Sequence, residues 1–378
     1  MTPNLYNKYK EDRLHHYNDL GGLLMYVISD IGKFAELPSI ALHIYNNELM
    51  ALEQSFIQGW DIEEPLVLSE YITMTPLDMA IRLEKDKVVY WLVEHGANLN
   101  TKDNPAFLLA VRYGEEPLIR YLYEHGAQIN RLNRVKSNAY DTAYYGKKKN
   151  IALIYELGLD IQKYGGSVLR KAVMNHDLQT IDFLLDHGVD INYNQPDMVF
   201  PYQATPLTVA TRNENVTMVK YLIQRGADVT IAEKNGERPY TIAVINKNES
   251  LAQLLKSLEP APFHNEQNKL YTLQSYKLPK ALIEWLSTPE QTLQWIDSDQ
   301  QKHQIVFLSL LDTVEMKVGR QRYLRLSAEI SLYSDLFIVW NPTKKVIGCY
   351  DEEHVTYTAL GSWADFANDP GKFMASVE

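Results

Sequence analysis

Cysteine is the scarcest residue type in this 378-residue chain: Cys349 stands alone. One thiol excludes an intrachain disulfide, leaves a thiolate metal cage without partners, and fits a reducing compartment. A long apolar run is missing as well. The opening Met1-Thr2-Pro3-Asn4-Leu5-Tyr6 has no apolar signal region, and Leu23-Leu24-Met25-Tyr26-Val27-Ile28 is too short to cross a bilayer. A soluble, cytoplasmic protein with no membrane attachment is expected. Positive charge is in deficit too, with 37 Lys and Arg against 48 Asp and Glu for a formal net charge of -11. Nucleic-acid binding depends on clustered cations that release counterions, so a nucleic-acid partner is excluded and a basic protein partner suits the balance.

The chemistry-bearing motifs are also missing. There is no Walker loop, no G-x-G-x-x-G, no His-Glu-x-x-His and no paired-cysteine spacing, so no cofactor, metal or catalytic residue is assigned and the chain is not expected to be an enzyme. His15-His16 has no ligand at metal spacing beside it and reads as a solvated helix face. Gly165-Gly166-Ser167 falls where a hairpin tip and helix cap belong, not at an anion-binding loop. Lys147-Lys148-Lys149, with Arg131, Arg134 and Lys136 near in sequence, is the one basic patch and reads as a solvated inter-helix turn. Cys349 reads as a buried hydrophobe.

What is present is a repeat. Gly59, Gly96, Gly126, Gly158, Gly188 and Gly226 recur at intervals of 30 to 38 residues, each followed within a few residues by an aliphatic side chain, as in Gly96-Ala97-Asn98-Leu99-Asn100. Ala80, Ala110, Ala172 and Ala210 each precede their glycine by 16 residues, and Ala143 precedes Gly158 by 15. Around two of the alanines stand Thr75-Pro76-Leu77-Asp78-Met79-Ala80 and Thr205-Pro206-Leu207-Thr208-Val209-Ala210. Thr caps a helix, Pro is tolerated in its first turn, and glycine supplies the left-handed C-terminal cap. Amphipathic second helices such as Val88-Val89-Tyr90-Trp91-Leu92-Val93 need stacked neighbours to bury their apolar face.

These motifs resemble the Thr-Pro-Leu-His-x-Ala opening of the ankyrin repeat. The resemblance covers residues 36–258 and implies a mostly α helical solenoid of six to seven divergent units that binds other proteins. The family His is absent, replaced by Asp78, Leu108 and Thr208, which implies looser or differently braced hairpins. The interval from Gly188 to Gly226 is long because Tyr193-Asn194-Gln195-Pro196-Asp197-Met198-Val199-Phe200-Pro201-Tyr202-Gln203 carries about five extra residues, a finger expected on one face. Residues 1–35 read as an N-terminal helical cap over the first repeat.

After Pro260 and Pro262 the periodicity changes, and residues 263–378 read as a small α+β C-terminal domain. Strands are expected over 305–311, 323–328, 335–341 and 345–350, with Asn341-Pro342-Thr343-Lys344 turning the last hairpin and a short helix over 362–368. The order of helix, strands, hairpin and Trp363-Ala364-Asp365-Phe366 helix resembles the SUKH superfamily.

Ankyrin proteins bind through a concave face, which places the partner-binding row two and three residues after each landmark alanine. The row is Arg82, Leu83, Arg112, Tyr113, Tyr144, Tyr145, Met174, Asn175, Arg212 and Asn213. Arg and Tyr dominate it, two residue types that dominate binding hot spots. Both resemblances imply a toxin-neutralising, immunity-type inhibitor, steered by its acidity to a basic toxin domain. The alternatives are a scaffold that recruits a protein partner, and an enzyme using Asp335, Asp351 or His354 near the last hairpin.

Overall fold

The structure, a computed structural model, describes residues 25–289, 291–297, 299–331, 333, 335–375 and 377. The chain divides into two compact units, the first ending at Gly165 and the second beginning at Gly166. Among the described residues no helix is long and apolar enough to cross a membrane.

The first unit opens with strands β1 (Tyr26–Ile28) and β2 (Gly32–Phe34), and four helix pairs follow: α1 (Ser39–Asn46) with α2 (Leu49–Ile57), α3 (Pro76–Arg82) with α4 (Asp86–Glu94), α5 (Ala106–Tyr113) with α6 (Glu116–Glu124), and α7 (Ala139–Tyr145) with α8 (Asn150–Glu156). Strands β3 (Leu66–Ser69) and β4 (Ile72–Met74) form the hairpin between the first two pairs, and α9 (Ile161–Tyr164) ends the unit. The spelling works as the sequence predicts. Thr75 Oγ1 accepts from the Asp78 N–H at 3.1 Å, with Pro76 in the first turn. Gly59, Gly96, Gly126 and Gly158 close the second helices at φ between +89° and +97°, where a side chain would be strained. The carbonyls left over there are satisfied by the residue after glycine, as in Ala97 N–H to Leu92 O at 3.0 Å. Ala80, Ala110 and Ala143 are fully buried, so the helices approach as closely as a methyl group allows.

The helical cap expected over residues 1–35 falls largely outside the described residues, as does His15-His16. Its described end is a hairpin rather than a helix. Tyr26 pairs with Phe34 and Ile28 with Gly32, and Ile28 and Phe34 are buried on one side while Val27 and Lys33 face out. That alternation has the period of a strand, and Asp30 at φ +59° turns the chain.

The second unit holds three further pairs: α10 (Gly166–Met174) with α11 (Leu178–Asp186), α12 (Pro206–Arg212) with α13 (Val216–Gln224), and α14 (Pro239–Ile245) with α15 (Glu249–Leu258). Then come α16 (Glu266–Leu273), α17 (Lys280–Leu286), eight strands, α18 (Trp363–Asn368) and α19 (Pro370–Met374). The strands are β5 (Thr292–Ile296), β6 (Lys302–Phe307), β7 (Val314–Val318), β8 (Gln321–Arg325), β9 (Ser327–Ile330), β10 (Leu336–Asn341), β11 (Val346–Asp351) and β12 (Thr356–Gly361). They form an antiparallel sheet in the order β12-β11-β10-β8-β7 and a smaller one in the order β5-β6-β9. The hairpin at Asn341 is where the sequence places it: Asn341 Oδ1 accepts from the Thr343 and Lys344 N–H groups at 3.0 Å. The sequence reading did not anticipate β5, β7 and β12, and it ran β8 and β9 together as one strand over 323–328, although the two lie in different sheets.

Central strand β10 is buried on both sides for a reason visible in its alternation. Ile338 and Trp340 pack into a core with Leu282, Leu286, Trp363 and Phe366 of the C-terminal helices. Phe337 and Val339 enter a second core with Met316, Tyr323 and Tyr350, against which Val244 and Ile245 of α14 are packed. The sheet therefore covers the apolar face of the last helix pair. The approach is close enough to require glycine at 236: at φ +87°, a Cβ there would lie 2.2 Å from the Glu315 carbonyl oxygen.

Candidate partner-binding face

In the first unit the expected row converges at the ends of α3, α5 and α7. Arg82 pairs with Asp78 one turn back and donates to Tyr113 Oη at 2.8 Å. Arg112 donates to Asp30 Oδ2 through Nε at 3.0 Å and Nη2 at 2.7 Å, and the Tyr113 hydroxyl donates to the same oxygen at 2.6 Å. Burial drives the Asp30 carboxyl upward, but these donors more than offset it and the pKa lies below the ordinary carboxylate value. Burial, with the Asp30 charge adding to it, pushes Tyr113 up to about 12. Tyr145 completes the wall of a cavity of about 210 Å³ that these side chains line with Asn104. Tyr144 is buried, with the Lys148 ammonium 4.5 Å from its ring centroid, and Leu83 is half-buried at the end of α3. Gly146 makes the convergence sterically feasible, because a Cβ there would lie 2.4 Å from the Arg112 carbonyl oxygen.

In the second unit Met174, Asn175, Arg212 and Asn213 are exposed. Arg212 is nonetheless committed: it pairs with Glu233 at 2.5 Å and with Glu237. Glu237 also receives Arg325, whose guanidinium lies 3.6 Å from the Phe337 ring centroid and donates to the Ser327 carbonyl at 2.9 Å. Glu233, Glu237 and Arg325 are all buried. The two arginines hold the Glu237 carboxyl below its ordinary value against the burial that would raise it. The row is thus charge-neutralised from inside the chain, Arg82 by Asp78, Arg112 by Asp30 and Arg212 by Glu233 and Glu237.

The basic patch differs from its reading as solvated surface. Lys148 and Lys149 are exposed, but Lys147 is buried, 2.8 Å from Glu115 and 3.3 Å from Glu84. Hydrogen bonds from Lys147 and then Lys149 hold Glu115 at about 2. Cys349 is buried as expected, and burial pushes its thiol up to about 12. Asp351 and His354 form an exposed pair at 2.8 Å, and Asp335 lies beside them, its carbonyl accepting from the Glu352 N–H at 2.9 Å. Among the described residues no group of three or more His, Cys, Asp or Glu side chains is placed to hold a metal ion.

Two features escaped the sequence reading. The position of the family His is occupied in α10 by Arg170, fully buried, which reaches into the inserted finger: it donates to Gln195 O at 2.6 Å, Ala204 O at 2.9 Å and Asp197 at 2.7 Å. At the equivalent position Asp78 accepts from Asn104 in the following loop at 2.8 Å. The hairpins are differently braced. The second feature is an aromatic residue four before a histidine that precedes the capping glycine: Trp91 with His95, Tyr121 with His125, Phe183 with His187. Each His Nδ1 lies 2.7 Å from the carbonyl of its aromatic neighbour, and the rings sit 3.9 to 4.2 Å apart. A carbonyl only accepts, so Nδ1 carries the proton. The i, i+4 spacing before glycine is the signal that reveals this device.

Residues 41–133 and 169–267, just over half of the chain, match the sequence model of the family described as ankyrin repeats (3 copies). The helix pairs, left-handed glycine caps and Thr-Pro openings are the features of that class, and the chain belongs to the ankyrin-repeat family. It is similar to a putative ankyrin repeat protein of Borreliella burgdorferi, 24% identical over 157 residues that cover 40% of this chain and 68% of that protein. It is also similar to the human 2-5A-dependent ribonuclease, 32% identical over 78 residues covering 21% and 10% of the two chains, and to a putative ankyrin repeat protein of fowlpox virus, 29% identical over 126 residues covering 32% and 20%. The match thus spans about two thirds of the first relative but a tenth and a fifth of the other two. Among solved structures, the ankyrin repeat domain of Bcl-3 aligns at a TM-score of 0.46 with 23% identity, covering 58% of this chain and 98% of that one. The human ASB11 ankyrin repeat domain aligns at 0.44 with 17% identity, covering 59% and 98%.

Proposed function

We propose that this ankyrin-repeat protein is an immunity-type inhibitor, acting in the cytoplasm, that binds a toxin domain and occludes its active site. The solenoid of residues 36–258 and a SUKH-like domain over 263–378 are read as the two modules of that inhibitor. The observation that carries the reading is the neutralisation of the arginine row by the chain's own carboxylates. With each arginine of the row paired to a carboxylate, the row presents no unpaired positive charge to repel a basic partner, and the chain's net charge of -11 favours the approach of one. The row Arg82, Leu83, Arg112, Tyr113, Tyr144, Tyr145, Met174, Asn175, Arg212 and Asn213, with Tyr113 and Tyr144 buried behind the rest, then supplies shape and hydrogen bonding rather than net positive charge. Co-expression with the product of the adjacent open reading frame tests this: protection from a growth defect together with a stable complex is expected, and the absence of both would sink the reading.

A scaffold role is favoured by a different observation, the division of the candidate residues between two compact units, each offering a surface of its own. Recovery of several unrelated proteins, each dependent on one unit only, distinguishes it from inhibition of a single toxin.

A further inference from the structure

The inserted segment 193–203 is built as a rigid projection. Beneath it the Arg170 guanidinium lies between two aromatic rings, 4.8 Å from the Tyr193 centroid and 4.9 Å from that of Phe200, while donating to Gln195, Asp197 and Ala204. Tyr193 is seated against Gly166, where a Cβ would come within 2.2 Å of the ring. At the crest Asp197 Oδ1 accepts from the Val199 N–H at 2.8 Å and the Phe200 N–H at 2.7 Å. On the far side the Tyr202 carbonyl accepts from the Lys234 N–H at 2.8 Å. Between these anchors the outward side chains are apolar: Met198 is 79% exposed, Val199 45% and Tyr202 41%. A loop ordered before it binds loses little entropy on binding, and Met and Tyr adapt to a partner's apolar side chains at small cost.

Carboxylates from the loops that join the C-terminal strands stand beside Tyr202. The turn that holds Tyr202 through Lys234 holds Glu352 through the next residue, Asn235 Nδ2 donating to Glu352 Oε1 at 3.4 Å. Glu352 is tied by its N–H to the Asp335 carbonyl, and Glu353 is exposed next to it. The cations of the neighbourhood are Lys234, Arg212, bound by Glu233 and Glu237, and Arg325, buried on Glu237 and acting on Glu352.

We infer that Met198, Val199 and Tyr202 together with Asp335, Glu352 and Glu353 form one docking surface, for a segment of a partner protein in which apolar side chains are flanked by Lys and Arg. This rests on the inhibitor reading above and adds to it the surface used, in which the loops that join the C-terminal strands take a direct part. Charge complementarity selects the occupant: the apolar crest meets the apolar side chains of the segment and the carboxylates meet its cations. Burial and the neighbouring Glu237 raise the Glu352 carboxyl above its ordinary range, a cost that an arriving cation relieves.

The probe is the peptide Lys-Arg-Leu-Phe-Lys-Arg-amide with fluorescein on its N-terminal amine, titrated into the full chain at low and high salt. Met198→Ser with Tyr202→Ala is expected to weaken the peptide about tenfold or more, with the melting temperature unchanged. Asp335→Lys with Glu353→Lys is expected to weaken it and flatten the salt dependence. Met198→Ser alone, at a side chain that supports nothing else, guards against loss of fold. A peptide that ignores the wild-type chain, or binds the crest variants as tightly as wild type, overturns the surface. In the co-expression assay the two failures separate. A wild-type chain that gives no protection sinks the inhibitor reading; a wild-type chain and a crest variant that protect equally sink this surface alone.

Discussion

Removing the charge of Arg325 tests how the C-terminal strands are attached to the last repeat. The Arg325 guanidinium is buried, pairs with buried Glu237, and donates to the Ser327 and Ala328 carbonyls. Arg325→Met leaves Glu237 in the interior with Arg212 as its remaining cation, and breaking a buried pair from one side costs about 3–5 kcal/mol. For a unit of this size a loss of about 3 kcal/mol lowers the melting temperature by about 6–12 °C. Glu237→Leu removes the other partner and is expected to cost a similar amount. The double variant has no orphaned charge, so most of the loss returns, leaving about 1 kcal/mol for each carbonyl that Met cannot serve. The assay is urea unfolding followed by the tryptophan fluorescence of the buried Trp340 and Trp363, read as a double-mutant cycle. If the double variant is as unstable as the sum of the singles, the two residues are uncoupled and the ion pair is not what joins the strands to the repeat.

Three further outcomes are expected. Burial lowers the Lys269 ammonium to about 8, and its Nζ donates to the Thr313 carbonyl at 2.6 Å. Between pH 8 and the unfolded value of about 10.4 the unfolded chain holds a proton that the native chain has lost, so stability rises with pH across that window and is flat below it. Lys269→Met abolishes the slope in urea titrations at successive pH values. Gly146→Ala drives a methyl group into the Arg112 backbone and is expected to cost about 1–3 kcal/mol, measured by thermal unfolding of the first unit. Arg170→Met strips donors from Gln195, Ala204 and Asp197, at about 1–3 kcal/mol for each buried acceptor left unpaired. Faster amide exchange at Val199 and Phe200 reports the loosened finger, and unchanged exchange there contradicts the role given to Arg170.

The repeat was readable because its determinants are local: a threonine cap, a proline in the first turn, a buried alanine and a glycine with positive φ act within one helix pair. Where the determinants are distant, the reading lost detail. Asp30 neutralises Arg112 from 82 residues away, and nothing in either local pattern marks the pairing. Lys147 looked solvated because its neighbours in sequence are lysines, yet Glu84 and Glu115 from other repeats enclose it. The replacement of the family His and a different bracing of the hairpins were both legible, but not the bracing residue, since Arg170 holds a finger whose path only the fold supplies. In the C-terminal region Asn341 announced its hairpin through turn chemistry. Strand β12 did not announce itself, because as an edge strand it leaves most of its side chains in water and lacks a buried period. The hairpin over 26–34 was subsumed into a cap expected to be helical, because the apolar run Leu23 to Ile28 shows no alternation until burial reveals it.

The covered face of the last helix pair has a consequence for how this protein can be rebuilt. The turn 233–237, helix α14 and the strands that receive them form a seam whose two halves lie entirely within residues 230–361, with Gly236 seated on the Glu315 backbone and Val244 and Ile245 set into the sheet. Repeats upstream of the inserted finger can therefore be exchanged, duplicated or removed without touching the seam, whereas the finger and α12 reach it: the Tyr202 carbonyl accepts from the Lys234 N–H, Arg212 grips Glu233 and Glu237, and α12 packs against α14. The terminal stretch is a portable stopper: grafted behind a foreign array whose last repeat keeps an arginine at the position of Arg212, it brings its own mating surface with it.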